Sequence, residues 1–559
     1  MRSIVLLLTA FVIYTVPFFS QTPCDPDCRI AKIAKDIEAS PDDGMNYYFR
    51  ANAYREKGDL DRVIADCTKG LQLGAGPRST IPPGHLEDML FGIRGKAYFE
   101  KRDYERAIGD FTSIIRKYNQ NLTGSGWHWD RGVSQLNLKN YQAAITDFDL
   151  FAKFADGRKE TLSGTFYLYR GESYFYSKKN DEAIKDLTRS ITAEPKNVDA
   201  YFFRGNAFRA KGDTNSAIVD YTEGIKLSPN GDGLFTNRGL VYWERKEYDK
   251  ALDDLNQAIK LNPNFQGNYT LRAEVHAIKQ DHLSAIADLT QAIRIKPDDE
   301  SLYTARADYY ELRKDYDSAI SDYSQAIKLA PQKISNYSSR ARLFESKKDL
   351  ISAEGDHANV IKLDPTAGYH FRGHFYGRIK RYSAALSDFA KSFELDQKQA
   401  ILLWDRGNIY NTMGSYDLAV AEFTKALQLD PKNFQYYLGR GDAYLGKKEI
   451  DTALSDYEKA VQLSPKASPA YLGRGNAYRE RGDNELAAAD YQRALDLEGA
   501  SADTFYNRGL LFLKLNKKAE ATTDLRKALE LDPGHDKART TLDALLKPVT
   551  RMKGRPIRK

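Results

Sequence analysis

The chain has few of the residues that cross-link a fold or hold it in a membrane. Three cysteines among 559 residues exclude a disulfide framework. After residue 22, no apolar run is long enough to span a bilayer. The net charge of +6 comes from six basic residues within 547–559, and the rest of the chain is balanced, which argues against a nucleic-acid-binding surface. A chain of this length must form several domains or an extended repeat.

Signatures of catalysis are also missing. The sequence has no phosphate-binding glycine loop, no His-Glu-x-x-His, no nucleophile elbow and no EF-hand loop. His370 and His374 are four residues apart and could share one face of a helix, with His357 earlier in the chain. No carboxylate or cysteine completes an obvious ligand set around them. We therefore predict no catalytic residue, no cofactor and no metal site.

The N-terminal segment 1–22 has the layout of a secretory signal. Arg2 precedes an apolar run from Ile4 to Val16, and Pro17 follows it. We predict a signal peptide and export, to the periplasm or by secretion. Ser20 could be the last residue removed, but Phe18 stands where a small residue is preferred. An uncleaved N-terminal anchor, which would tether the protein to a membrane and face outside the cytoplasm, is the alternative.

The cysteines suggest little covalent chemistry. Cys24 and Cys28 are close enough in sequence to form a small local disulfide in an oxidising compartment. Two free thiols or half of a metal site are the alternatives, and no second Cys/His pair lies nearby to favour the metal. Cys67 occupies a position that holds an aromatic or leucine residue elsewhere in the chain, which predicts a buried small hydrophobic residue.

One pattern recurs through most of the chain. The stretch "YFFRGNAFRAKGDTNSAIVDYTEGIKLSP" (201–229) aligns with "YLGRGNAYRERGDNELAAADYQRALDLE" (471–498). Their arginines belong to a series that, from Arg170 onward, is spaced by 34 residues except for one step of 32 between Arg340 and Arg372. The series, which numbers repeats 1 to 14, is Arg50, Arg94, Arg131, Arg170, Arg204, Arg238, Arg272, Arg306, Arg340, Arg372, Arg406, Arg440, Arg474 and Arg508.

Each repeat carries the pattern of two amphipathic helices. Gly or Ala follows the arginine in all fourteen repeats, an aromatic residue comes four residues after it in twelve, and Ala comes thirteen after it in thirteen. Small residues let the two helices approach closely, and the aromatic rings fill the space beside them. Proline ends nine of the repeats, where it ends the second helix. The predicted fold class is all-α.

This pattern resembles the tetratricopeptide repeat. The resemblance implies a right-handed superhelical solenoid of antiparallel helix pairs that acts as a non-enzymatic scaffold for a protein or peptide ligand. The predicted order is a signal peptide or N-terminal anchor (1–22), an N-terminal capping half-repeat (23–43), fourteen repeats (44–533), a C-terminal capping helix (534–546) and a basic tail (547–559).

A carboxylate comes sixteen residues after each of these arginines. It is Glu422 in repeat 11, and in the other repeats it is Asp66, Asp110, Asp147, Asp186, Asp220, Asp254, Asp288, Asp322, Asp356, Asp388, Asp456, Asp490 and Asp524. We hypothesise an Arg–carboxylate ladder that fixes the register of the helices, formed within a repeat or between neighbours. A solvated charged face is the alternative, but lysine never replaces arginine in the series, which favours the ladder.

Two Arg-Gly-Asp tripeptides are explained by the same pattern. Residues 481–483 fall at the turn between the two predicted helices of repeat 13, and residues 440–442 fall inside a predicted helix of repeat 12. An extended recognition loop cannot form within a helix. We therefore predict that neither tripeptide is an adhesion signal.

The resemblance also implies a concave surface lined by the first helices. Ligand contacts are expected two residues before, one before, two after and five after the arginine. The candidate ligand residues are Trp129, Phe202, Asn206, Arg209, Asn237, Trp404, Asn408, Leu472, Asn476, Arg479 and Asn507. For each of them, packing between neighbouring first helices is the alternative. The predicted partner is a protein or peptide; a glycan- or cell-wall-binding solenoid and an enzyme with an unrecognised site are the other interpretations.

Overall fold

A computed structural model describes residues 25–75, 84–117, 125–497 and 501–546. The predicted signal segment, Cys24 and the basic tail lie outside these residues, so the disulfide between Cys24 and Cys28 stays a prediction. In the described ranges every regular element is a helix and no strand occurs, which confirms the all-α prediction. The chain divides into two compact units, 1–296 and 297–559.

The first unit contains one leading helix and seven helix pairs in its described residues. The helices are α1 (Pro26–Ala39), α2 (Gly44–Glu56), α3 (Leu60–Leu73), α4 (His85–Glu100), α5 (Tyr104–Lys117), α6 (Ser125–Asn137), α7 (Tyr141–Gly157), α8 (Gly164–Tyr176), α9 (Asn180–Ala193), α10 (Val198–Ala210), α11 (Thr214–Leu227), α12 (Asp232–Glu244), α13 (Tyr248–Leu261), α14 (Gln266–Ile278) and α15 (His282–Ile295).

The second unit contains seven helix pairs and one closing helix in its described residues. The helices are α16 (Glu300–Leu312), α17 (Tyr316–Leu329), α18 (Ile334–Ser346), α19 (Leu350–Leu363), α20 (Pro365–Arg378), α21 (Tyr382–Leu395), α22 (Ala400–Thr412), α23 (Tyr416–Leu429), α24 (Phe434–Gly446), α25 (Ile450–Leu463), α26 (Ser468–Arg481), α27 (Asn484–Asp496), α28 (Ala502–Lys514), α29 (Lys518–Leu531) and α30 (Asp536–Leu546). In both units the even-numbered helix of a pair is called its first helix.

The two helices of a pair pack around the smallest residues of the repeat. The residue thirteen after each arginine, which is Val63 in repeat 1 and Ala in the others, is fully buried throughout. Gly205 shows why the position after the arginine must be small, because a Cβ there would come within 2.7 Å of the Tyr221 ring. Cys67 is buried, as predicted, and forms no disulfide. Burial raises the pKa of its thiol to about 12.

Short turns join the helices of a pair and place one residue in the left-handed region. In repeat 5 this residue is Gly212, with φ of 81°, and Asp213 then caps α11 by accepting a hydrogen bond from the Ser216 amide. After α26 the left-handed residue is Gly482, with φ of 100°. The Arg-Gly-Asp sequence at 481–483 is therefore a turn, and the one at 440–442 lies within α24, as predicted.

The step of 32 residues between Arg340 and Arg372 has a local cause. Helix α19 ends at Leu363 and α20 begins at Pro365, so Asp364 alone separates them. Asp364 accepts a hydrogen bond from the amide of Ala367 and thereby caps α20, while its own amide donates to the carbonyl of Val360 in α19. Proline at the first helical position suits such a start, because its missing N–H would have no partner there.

Each end of the described chain carries one unpaired helix. Helix α1 lies against α2, where Arg29 Nη1 donates to Glu56 at 2.9 Å. Helix α30 buries Ala538 and Leu542 against residues of α29. Among the described residues, no helix combines the length and the apolar content needed to cross a membrane.

Candidate ligand-binding surface

The repeated arginines form ion pairs inside their own repeats. In repeat 5, Arg204 Nε donates to Asp220 Oδ2 at 2.8 Å and Nη2 donates to Oδ1 at 2.7 Å. The same two-bond geometry links the arginine to its aspartate in repeats 1 to 10 and 12 to 14. These aspartates are buried, so the hypothesis of a ladder is confirmed and a solvated face is excluded for them.

Aromatic rings surround the guanidinium on both sides. Arg204 lies 5.8 Å from the ring centre of Tyr201 and 5.9 Å from that of Phe208. Arg474 stands in the same way between Tyr471 and Tyr478. Arginine, unlike lysine, offers a flat face to stack on such rings and a fork to bind the carboxylate, which explains why it is never replaced by lysine.

The third nitrogen of the arginine connects neighbouring repeats. Arg204 Nη1 donates to Thr188 Oγ1 at 3.1 Å, and Thr188 belongs to the second helix of the preceding repeat. At least nine arginines of the described chain make this contact with the residue eighteen after the preceding arginine: Thr68, Thr112, Asp149, Thr188, Thr222, Asn256, Ser324, Thr424 and Gln492. The ion pair thus forms within a repeat, and the same guanidinium also holds two repeats together.

Repeat 11 departs from this geometry. Arg406 Nη1 lies 3.3 Å from Glu422 Oε2, but the two-bond arrangement is absent. The Nε of Arg406 and the Oε2 of Glu422 are buried and have no hydrogen-bond partner among the described residues. The longer glutamate side chain therefore satisfies the arginine less well than aspartate does.

The first helices form a continuous layer in the first unit and over the last four repeats of the second. Successive first helices contact each other from α2 to α14 in the first unit and from α22 to α28 in the second. All eleven candidate ligand residues lie on first helices, and each is half-buried: Trp129, Phe202, Asn206, Arg209, Asn237, Trp404, Asn408, Leu472, Asn476, Arg479 and Asn507. They are accessible in part, and they also contact neighbouring helices. Their role in binding a ligand stays a prediction.

The apolar candidates pack against their own repeat and the adjoining one. Trp129 lies among Phe148, Phe151, Phe166 and Tyr169, with ring centres 5.6 to 6.2 Å apart. Three further candidates lie at the edges of buried clusters, namely Phe202, Trp404 and Leu472. Their exposed parts form the apolar portion of the layer.

Five of the seven polar candidates make hydrogen bonds within a first helix or to the next one. Arg209 Nε donates to Glu244 of the next first helix at 2.9 Å, and Arg479 Nη1 donates to Asn507 Oδ1 at 2.9 Å. Asn237 donates to the Gly233 carbonyl of its own helix at 2.8 Å. The carbonyl of Asn408 accepts a hydrogen bond from the Thr412 hydroxyl.

The remaining two asparagines belong to a pattern that the sequence analysis missed. Asn206 accepts a hydrogen bond from the Tyr221 hydroxyl at 2.7 Å, and Asn476 accepts one from Tyr491 at 2.8 Å. Asp308 and Asp442 accept in the same way from Tyr323 and Tyr457. Burial raises the pKa of each of these phenols. Each buried tyrosine therefore has an acceptor fifteen residues before it in the sequence.

This pattern is visible in the sequence once the repeats are aligned. Tyrosine stands seventeen residues after the arginine in repeats 5, 8, 12 and 13, and in all four Asn or Asp stands two residues after the arginine. In the other ten repeats that second position holds Asn only in repeats 1 and 11. A comparison of these two positions across the repeats would have predicted the hydrogen bond.

The sequence analysis also missed a carboxylate beside the paired histidines. Asp405 of α22 lies against His370 and His374 of α20 and forms with them a group of three potential metal ligands. Asp405 follows His370 by 35 residues, about one repeat, so it occupies nearly the same register on the next first helix. A search for ligand residues at the repeat period, instead of nearby in sequence, would have found it.

Comparison with protein families matches several segments to tetratricopeptide repeat models. A model described as "TPR repeat" matches 205–245, 407–448 and 475–516. Models described as "Tetratricopeptide repeat" match 94–158, 234–265, 300–333, 434–466 and 502–535. Together these segments cover about half of the chain. A comparison with curated proteins found no match.

Solved structures of repeat proteins show a limited likeness. A tetratricopeptide repeat protein from Parabacteroides merdae is 19% identical with a TM-score of 0.36, covering 50% of this chain and 99% of its own. The C-terminal part of a TPR repeat-containing protein from Cytophaga hutchinsonii is 21% identical with a TM-score of 0.36, covering 43% and 96%. A thermophilic TPR protein from Thermus thermophilus is 23% identical with a TM-score of 0.31, covering 32% and 98%.

Proposed function

Because the chain belongs to the tetratricopeptide repeat family, whose members are typically non-catalytic scaffolds for protein–protein interaction, we propose that it is an exported scaffold that binds a protein or peptide through its first-helix layer. The observation that carries the proposal is where the variable residues lie. Positions that are constant among the repeats, such as the buried alanine and the ion pair, hold helices together. The eleven candidate ligand residues occupy positions that differ among the repeats, and they lie half-buried on first helices.

The chemistry of this layer suits an extended polypeptide. Half-buried Trp404 and Leu472 offer apolar contacts, while Arg479 and Asn507 offer hydrogen-bonding groups. The hydrogen bond between Arg479 and Asn507 orients both side chains before a ligand arrives, which lowers the entropic cost of binding.

A pull-down with matched variants tests the binding surface. Trp404→Thr and Leu472→Thr alter two first helices, and they copy Thr236, Thr270 and Thr304, which occupy the same register in repeats 6 to 8. Ile351→Thr and Leu486→Thr make the same type of change on second helices, where both side chains are exposed. The bait is the full chain, and the exported fraction of the source cells is the input.

We expect the two first-helix variants to lose a partner that the two second-helix variants retain. Thermal unfolding of all four variants checks that the fold is kept. Equal recovery of partners by all four variants would contradict the assignment of binding to the first-helix layer.

Export is proposed from the N-terminal sequence alone. Residues 1–22 combine a positive charge with an apolar run, as signal peptides do. Fusion of this segment to a reporter that is active only outside the cytoplasm tests it. The wild-type fusion should be active, and Leu7→Arg, which interrupts the apolar run, should abolish activity. Mass spectrometry of the exported chain then distinguishes a cleaved signal from a retained anchor, and an inactive wild-type fusion would refute export.

A further inference from the structure

Three side chains on two neighbouring first helices converge on one point. His370 and His374 lie one turn apart on α20, and Asp405 lies on α22. The Nε2 atom of His370 is 2.9 Å from Asp405 Oδ2 and 3.1 Å from His374 Nε2. The Nε2 atom of His374 is 3.4 Å from the same carboxylate oxygen. Two imidazole nitrogens and one carboxylate oxygen therefore form a nearly equilateral triangle.

The size of this triangle matches the coordination sphere of zinc. Zn²⁺ binds imidazole nitrogen and carboxylate oxygen at about 2.0–2.2 Å, so two ligands of a tetrahedral site are about 3.3 Å apart. The three separations in the triangle lie within a few tenths of an ångström of this value. A metal ion about 1 Å out of the plane of the triangle could contact all three atoms.

From this arrangement we infer that His370, His374 and Asp405 bind a divalent transition-metal ion of the zinc type. Two imidazoles with one carboxylate are a donor set found for zinc and for other first-row transition metals, whereas magnesium and calcium prefer oxygen ligands alone. The inference is independent of the proposed scaffold function, because it rests only on these three side chains.

The surroundings hold the two imidazoles in place. The edge of the Phe389 ring packs against both histidines, with ring centres 6.0 Å from His370 and 5.2 Å from His374. Phe371 stacks on His370. Ligands that are already oriented lose little conformational freedom when the ion binds.

A buried carboxylate completes the ligand set. Only 5% of the Asp405 side chain is exposed, and its Oδ2 atom lies against both imidazoles. Arg378, a positively charged residue of the helix that carries the two histidines, is engaged by Glu345.

The site is open on one side. The side chain of His374 is 42% exposed and that of His370 is 21% exposed, so the triangle reaches solvent. Three protein ligands leave one tetrahedral position for a water molecule or for a donor group of a bound molecule. The three residues occupy register positions two before, two after and one before the arginine of their repeats, which are positions of the first-helix layer.

Each ligand can be replaced by a residue that already occupies the same register in another repeat. His370→Thr copies Thr304, His374→Asn copies Asn408, and Asp405→Asn copies Asn507, each at the same register. His85→Ala, which removes an exposed histidine of the other unit, is the matched control. Circular dichroism of the metal-free proteins checks that all variants keep their helices.

Titration of the metal-free full chain with Zn²⁺ measures binding and stoichiometry. The wild type and His85→Ala should bind Zn²⁺ at this site, and each of the three ligand variants should lose at least about 100-fold in affinity, because even outer-shell changes cost 10–100-fold. Co²⁺ should give the visible absorption bands of a tetrahedral site in the wild type and not in the variants.

Thermal unfolding provides a second readout. Zn²⁺ in excess should raise the Tm of the wild type, since an ion that binds only the folded state stabilises it. The Tm of the ligand variants should not change. A wild type that binds no Zn²⁺, or ligand variants that bind it as tightly as the wild type, would overturn the inference. Equal affinity of the wild type for Mg²⁺ would also overturn it.

Discussion

Two neighbouring pairs of repeats in the second unit share the same helix arrangement but differ in how completely the arginine binds its carboxylate. The irregular pair comprises repeats 10 and 11 (α20 to α23), and the regular pair comprises repeats 12 and 13 (α24 to α27). In the regular pair, Arg440 and Arg474 each make two hydrogen bonds to an aspartate. In the irregular pair, Arg406 faces Glu422 and its Nε is buried without a hydrogen bond to any described residue.

The aromatic position explains why the irregular pair can carry histidine. Tyr457 and Tyr491 in the regular pair require an acceptor two residues after the arginine, which fixes Asp442 and Asn476. Phe389 in the irregular pair has no hydroxyl, so that position is free to be His374. A phenylalanine in place of the buried tyrosine thus removes the need for Asn or Asp at the acceptor position and leaves that position open to histidine.

The largest expected difference between the regular and irregular repeats is the loss of stability when the carboxylate bound by the arginine is removed. Asp456→Ala should destabilise the chain by about 3 kcal/mol, because it leaves the guanidinium of Arg440 half-buried without its carboxylate. Glu422→Ala should cost about 1–2 kcal/mol, because the Arg406–Glu422 contact is already incomplete. Urea unfolding measures both variants.

The double variant Arg440→Ala/Asp456→Ala completes this test. If the two residues are coupled, the double variant should lose less than the sum of the two single losses. Additive losses, or an equal cost at Glu422 and Asp456, would contradict the difference between the pairs.

The tyrosine hydroxyl should account for the next largest effect. Tyr457→Phe removes the hydrogen bond to Asp442 and should cost about 1 kcal/mol. The reciprocal change Phe423→Tyr places a hydroxyl in repeat 11, where Asn408 already stands at the acceptor position, and should be tolerated or stabilising. Thermal unfolding of both variants checks the prediction, and a strongly destabilised Phe423→Tyr would show that the two positions are not a matched pair.

A single methylene separates the two kinds of ion pair. Glu422→Asp should let Arg406 form the two-bond contact seen in the other repeats and should stabilise the chain by about 1 kcal/mol. The opposite change, Asp456→Glu, is the control and should destabilise. Urea unfolding that shows no gain for Glu422→Asp would mean that the backbone of repeat 11, and not the length of the side chain, sets the contact.

The sequence predicts the scaffold better than the surface. The period of the arginines, the small residues and the aromatic positions identify every repeat, because each is required by helix packing that recurs along the chain. The predicted ion pairs are confirmed for the same reason. Whether they form within or between repeats could not be predicted, because positions sixteen residues after one arginine and eighteen after the preceding one both border the same guanidinium.

To predict the contacts at the surface, one must know which side chains of neighbouring repeats lie side by side. Asp405 lies far from His370 in sequence, and only the packing of α20 beside α22 brings them together. Asn206 is a predicted ligand contact, and the structure shows in addition that its side-chain oxygen accepts a hydrogen bond from Tyr221. Contacts at variable positions do not recur in every repeat, so the sequence indicates them only when the aligned positions of the repeats are compared with one another.

The smallest expected effect concerns the contact between repeats. Arg440 Nη1 donates to Thr424 Oγ1 at 3.2 Å, whereas the corresponding position before Arg406 is Ala390, which has no acceptor. Thr424→Val keeps the shape of the side chain and removes the acceptor, so it should cost about 0.5–1 kcal/mol, because Arg440 keeps its two bonds to Asp456. Hydrogen exchange of α23 and α24 measures the effect locally. A loss as large as that of Asp456→Ala would mean that the bond between repeats, and not the ion pair within one, is the stronger link.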